Sequence, residues 1–159
     1  MIRGVITPEQ ALKDAVYGKN AFAEYAKALC GLDAPTASQR PAGSPHSIWQ
    51  LVWHLNYWQE ATLMALQGEK PQHRAEADYP AHPEAPSQEA LDIEVRQFLS
   101  DLETLSTLAA DPGVAQQEVP AWKGFSKLAA ILLITNHNAY HLGQVVLLRR
   151  MLGTWEDRG

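Results

Sequence analysis

Two of the six histidines in this chain stand four residues apart, His137 and His141, in the stretch Asn136-His137-Asn138-Ala139-Tyr140-His141-Leu142-Gly143-Gln144. On a helix, an i, i+4 pair shares one face with Cβ atoms about 5–6 Å apart. Two imidazole nitrogens placed in this way can reach one divalent ion at roughly 2.0–2.1 Å. The plainer alternative is two surface or separately hydrogen-bonded histidines, which the same spacing allows. Position argues between the two. The pair lies in an apolar segment from about Ser126 to Leu152 whose leucines, isoleucines and valines are too many for one face, so this helix is expected to be largely buried. At about 100° per residue, His141 falls about 40° from His137, with Gln144 and Leu148 within about 20° of it. Both imidazoles then share the central apolar stripe. An imidazole buried there without a partner costs roughly 1–3 kcal/mol, and a metal ion would satisfy both.

A third candidate is His54. Ser47-Ile48-Trp49-Gln50 has the form of a capping box, with Ile48, Leu51, Val52 and Leu55 along the core face of the helix it opens and Gly68 as its stop. His54 lies on the flank of that face beside Leu51 and Trp58, where a side chain can point between two helices. Taken alone it reads as a half-buried residue. It sits about 10 Å along its helix, and His141 about 16 Å from the end of the last one, at 1.5 Å per residue. If the two helices run antiparallel, all three histidines come to similar depth. Trp49 and Trp53 project away from the core centre and need a cover, either a loop or a subunit interface.

Thr7-Pro8-Glu9-Gln10 supplies an N-cap, a proline at the first helical position and a glutamine placed to close a capping box. Apolar residues then recur at three- and four-residue steps to Leu29, and Gly31 follows as a stop, so a first helix is expected over about 8–29. Gly18 falls inside it, which implies close approach of a neighbouring helix or a bend. Residues 33–47 read as a connection. Residues 69–86 carry four prolines, His73 and His82 without periodicity; they read as a long loop with incidental histidines, the alternative being a further ligand from His73 or His82. A third helix from near Ser87 shows Leu91, Val95, Phe98, Leu102 and Leu105, and ends at Asp111-Pro112-Gly113. It carries no histidine and is expected only to pack. Ser126 caps the fourth helix and Gly153 stops it. Four amphipathic helices with no alternating strand pattern predict an all-α chain, a four-helix bundle with long connecting loops.

At 159 residues and 46% hydrophobic content, residues 1–159 suit one domain with a real core. A net charge of −5 with no basic cluster speaks against nucleic acid. One cysteine, Cys30, excludes an intrachain disulfide framework, and no charged leader with an apolar core opens the chain, so a cytoplasmic setting is expected. The longest apolar stretch is broken between Thr135 and His141, and no membrane span is expected.

The pattern Ser47-Ile48-Trp49-Gln50-Leu51-Val52-Trp53-His54-Leu55, then Tyr57-Trp58, then His137-Asn138-Ala139-Tyr140-His141-Leu142-Gly143-Gln144-Val145 with Leu148-Arg149, resembles the DinB-like superfamily. The resemblance covers nearly the whole chain. It implies an up-down-down-up bundle, often dimeric, that binds one divalent metal through three histidines, which fall here on His54, His137 and His141. Some members of that superfamily are transferases or isomerases that use a low-molecular-weight thiol, and fold alone does not assign a reaction.

Three neutral imidazoles would leave a coordination position for water or substrate, as in catalytic rather than closed structural zinc sites. The expected function is therefore a metal-dependent enzyme, a hydrolase or a thiol transferase or isomerase; the alternative is a metal-stabilised structural or interaction protein without turnover. Imidazole ligands suit zinc and nickel first, with iron, copper or manganese also admitted. Asn138 stands where a zincin would carry glutamate, so that helix-borne base is absent. The Glu-x-x-His repeat of a di-iron bundle is missing. Gln144 lies on the ligand face and could orient a ring or a water, though it is no base at neutral pH. Tyr140, about 60° to one side, offers a hydroxyl or aromatic packing. The tryptophan pair and the over-apolar fourth helix predict a homodimer through the surface of the second and fourth helices.

Overall fold

Every long helix of the chain begins where a side-chain oxygen meets an otherwise free amide. The computed structural model describes residues 6–19, 22–71 and 78–156. Thr7 Oγ1 accepts from the Gln10 amide at 3.2 Å and Pro8 occupies the first turn of α1, Pro8–Tyr17. The expected reciprocal bond of a capping box does not form there, because the Gln10 side chain turns forward and donates to Asp14. Nor does the helix run to residue 29. Gly18 takes a left-handed φ of 78°, and the amides of Gly18 and Lys19 close onto Ala15 and Asp14. That is a C-terminal cap rather than a mid-helix glycine. A Cβ on Gly18 would lie 2.7 Å from the Phe22 ring. The rest of the predicted first helix is a separate element, α2, Tyr25–Leu29.

A four-residue helix, α3, Ala34–Ala37, lies inside the connection expected over 33–47. The capping box of α4, Ile48–Leu66, forms in full: Ser47 Oγ accepts from the Gln50 amide and Gln50 Oε1 from the Ser47 amide. The same two side chains reach the long loop, Ser47 Oγ donating to the Pro83 carbonyl at 2.6 Å and Gln50 Nε2 to that of Pro80 at 2.7 Å. Ser87 caps α5, Gln88–Ala109. Asp111 then opens a short α6, Pro112–Ala115, where the sequence read only as a stop. Ser126 caps α7, Lys127–Met151, and Gly153 follows at φ 70°. The described residues form no strand, only an isolated bridge between Glu118 and Ser126.

Side-chain pairings give the senses of three long helices. Asn56 and Gln59 of α4 bond to Glu94 and the Phe98 carbonyl of α5 in ascending order, so these helices run parallel. Leu51 shares a cavity wall with Leu147 and Leu148, whereas Trp58 and Thr62 share one with Leu133 and Ile134, so α4 and α7 run antiparallel.

The core joins Leu51 and Leu55 of α4, Phe98 and Leu102 of α5, and Ile131 and Leu142 of α7. Two expectations about exposure are corrected. Trp49 is buried in this core, and Trp53 is half-buried and stacked on Tyr57 at 5.5 Å, so no outward tryptophan pair exists. Helix α7 is not buried all round: Leu133, Tyr140 and Leu147, seven residues apart, are 53%, 67% and 55% exposed. An apolar count reports how much surface a helix would bury, not how many neighbours it has. Near its end, buried Arg149 donates to the carbonyls of Ala28, Cys30 and Thr154, tying α7 to the C-terminal end of α2.

Candidate metal centre

His54 projects from α4 toward α7, where His137 and His141 lie one turn apart, and the three form a group that could hold a metal ion. His54 and His141 are buried and His137 is half-buried. What each ring does with its Nδ1 sets what remains at Nε2. The Nδ1–H of His54 donates to the Asp78 carbonyl at 2.6 Å, and the Tyr79 ring stacks on the imidazole with centroids 4.2 Å apart and planes 3° from parallel. His141 Nδ1–H donates to Gln144 Oε1 at 2.7 Å, across the i, i+3 step that placed Gln144 on the ligand face.

His137 is held by a relay that starts on α5. The Phe98 carbonyl can only accept, and takes a hydrogen bond from Gln59 Nε2 at 2.8 Å. Gln59 Oε1 must then accept, and does so from Asn138 Nδ2 at 2.7 Å. That turns Asn138 Oδ1 toward His137 Nδ1, 3.3 Å away, and makes the ring nitrogen the donor. The third long helix therefore does more than pack: its backbone sets the tautomer of a histidine on α7.

With all three Nδ1 protons engaged, the three Nε2 atoms present lone pairs. His54 Nε2 and His137 Nε2 lie 3.1 Å apart, and one nitrogen from each of the three rings falls within 4.8 Å of the others. Two acceptors face to face make no hydrogen bond, so the arrangement suits a cation. Nitrogens about 2.0–2.1 Å from a tetrahedral ion stand about 3.3–3.4 Å apart, close to the 3.1 Å between the His54 and His137 nitrogens. Burial favours the neutral rings that ligation requires: it lowers the pKa of His54 from 6.5 to about 4, helped by the neighbouring histidines, and it is the leading cause of lowered values at His137 and His141.

A pocket of about 640 Å³ opens from the three rings to the surface, walled by Trp58, Thr62, Tyr79, Trp122, Phe125 and Leu133. Tyr79 comes from the connection between α4 and α5, and Trp122 and Phe125 from that between α6 and α7, so both connections wall the pocket. Tyr140 is exposed and packs edge-on against His141 at 4.9 Å. His82 is exposed and outside the cluster, and His73 lies outside the described residues. Sequence reasoning missed Asp78, Tyr79 and Gln59, and also His46, which stacks on the far face of Tyr79 at 3.7 Å. For Gln59 a signal existed, since it falls about 40° from Leu55 and so on the core face of α4. For the Asp78–Tyr79 clamp there was none.

Helical order, pairing senses and site together define a helical-bundle protein with a three-histidine group fit for a divalent ion. Residues 19–145 match the family model of the DinB superfamily, and the chain belongs to that superfamily. No curated protein and no solved structure matches it. Among the described residues, no helix is long and apolar enough to cross a membrane.

Proposed function

We propose that the chain binds one divalent ion through His54, His137 and His141 and is a metal-dependent enzyme, a hydrolase or a small-thiol transferase or isomerase, acting as one domain in the cytoplasm. One observation carries this reading: three Nε2 lone pairs converge at the inner end of a solvent-connected pocket, and no fourth His, Cys, Asp or Glu joins them among the described residues. A structural zinc site closes its shell with four protein ligands, whereas three leave a position for chemistry. An ion held there would act as a Lewis acid toward a water or a thiol entering from the pocket. The chain's own contribution is placement. Asp78 and Tyr79 fix His54, Gln144 fixes His141, and the aromatic wall restricts water. Asn138 and Gln144 are both engaged in holding histidines and neither is a base, so among the described residues the helix that carries His137 and His141 offers no acid-base pair beside the group. Zinc and nickel suit this ligand set best, with iron, copper and manganese behind them.

Elemental analysis of protein purified without a nickel column, followed by ester-hydrolysis and thiol-transfer assays, tests the reading. One equivalent of metal with turnover in either assay supports it; stoichiometric metal with no turnover in both favours a structural ion. The homodimer is proposed on new grounds. Leu133, Tyr140 and Leu147 form an exposed apolar row on α7, and a Cβ on Gly143 would meet nothing within 4 Å. Such a row marks a contact surface. Sedimentation should give a dimer that Leu147→Glu converts to a monomer, and a monomeric parent protein would remove the proposal.

A further inference from the structure

The pocket in front of the three histidines also carries information about what enters it. None of its ten described lining residues is Asp, Glu, Lys or Arg. Four of them are Trp58, Tyr79, Trp122 and Phe125, with Trp122 and Phe125 edge to face at 6.1 Å. The Thr62 hydroxyl donates to the Trp58 carbonyl at 2.8 Å, so toward the pocket it can only accept. A carboxylate, phosphate or ammonium on the body of a ligand would lose its hydration here and meet no opposite charge on the described wall, a costly transfer. Aromatic rings, by contrast, gain from burial and from edge or offset contacts with such walls. The volume, about 640 Å³, lies within the range of about 300–1,000 Å³ usual for small-molecule sites. Two other hollows lack this combination. The one between the 42–46 turn and the end of α7 is about 240 Å³, and the larger one beside α1 has no aromatic lining.

We infer that this pocket binds an uncharged, largely apolar small molecule bearing a flat ring, with one polar head directed at the three Nε2 atoms. The head rests on the metal-centre reading above; the body rests on the wall alone. Charged low-molecular-weight thiols would therefore serve, if at all, with their charged groups outside the aromatic wall.

Calorimetric titrations at pH 8 of protein carrying one equivalent of zinc, with imidazole, 4-phenylimidazole and 4-(imidazol-4-yl)benzoate, separate head from body. The phenyl compound should bind at least about tenfold more tightly than imidazole, the increment expected from burying one ring, and the benzoate should lose that gain. Phe125→Ala, at a residue 40% exposed and so outside the core, and Trp122→Ala should each reduce the phenyl gain while leaving imidazole affinity and zinc content unchanged. A benzoate that binds more tightly than the phenyl compound, or a phenyl gain that survives both variants, overturns the inference. Titration with N-phenyl-1-naphthylamine, an uncharged fluorophore, needs no ion. Enhanced emission that Trp122→Ala abolishes, in a protein that takes up no zinc, would keep the pocket and refute the metal centre. Stoichiometric zinc without any enhancement would do the reverse.

Discussion

Two groups of polar side chains on α7, the His137–His141 pair and Arg149, are held in opposite ways. At Arg149 the two terminal guanidinium nitrogens donate to three backbone carbonyls, those of Ala28, Cys30 and Thr154, so these donors meet acceptors supplied by the chain and Nε alone is left without one. Two to three turns earlier, at His141 and His137, the chain supplies acceptors only for the Nδ1 protons, and His137 Nε2 faces the Nε2 acceptor of His54. Burial is the same in kind. What differs is the sign of the unmet hydrogen-bonding capacity: where lone pairs converge with no donor, a cation is the missing component, and where carbonyls ring a cation, the element is structural.

The strongest way to break this comparison is to exchange the effects of the two positions. His141→Ala should reduce bound ion to near zero at one added equivalent, and with it the ion-dependent rise in melting temperature, because the ion stabilises only a state that binds it. Elemental analysis and melting with and without chelator check this; full metal stoichiometry in the variant would dissolve the assignment. Arg149→Met should do the converse, lowering stability by about 2–3 kcal/mol in urea unfolding through lost charged hydrogen bonds while leaving one ion bound. Gln59→Leu sharpens the comparison at lower amplitude. It removes the link between Phe98 and Asn138, so ion affinity in a chelator competition should fall about tenfold, the lower end of what outer partners contribute. An affinity equal to that of the parent protein would reduce the relay to packing.

The smallest effect is read in the metal-free protein. His54 has a folded pKa below its unfolded value of 6.5, so the unfolded chain takes up its proton first. Stability present above about 6.5 is then withdrawn as pH falls toward about 4, and His137 and His141 shift in the same direction. Urea midpoints across that window should fall with acidity, and His54→Phe should flatten part of the slope. A midpoint independent of pH between 4 and 6.5 would show that the rings are not buried neutral.

The sequence by itself determined what is local. Ser47 with Gln50, Ser126 and Gly153 bound their helices because a cap acts within three or four residues, and His137, His141 and Gln144 fell on one face because helical spacing places them there. His54 was legible as the third member through helix length and an antiparallel arrangement. Locality failed where a single residue overrides a period: Gly18 ended a helix whose apolar steps continued through it. It failed also for exposure, since Trp49 is covered and the Tyr140 row is not, and neither follows from the angle on one helix without its neighbours. Tertiary structure alone decided how the histidines are held. The Asp78 carbonyl is 24 residues from His54 and Gln59 is 79 from Asn138, and no pattern of one helix encodes a bond that exists only once two others have packed. Those bonds fix which nitrogen of each ring carries the proton, and so turn three nearby histidines into three converging lone pairs.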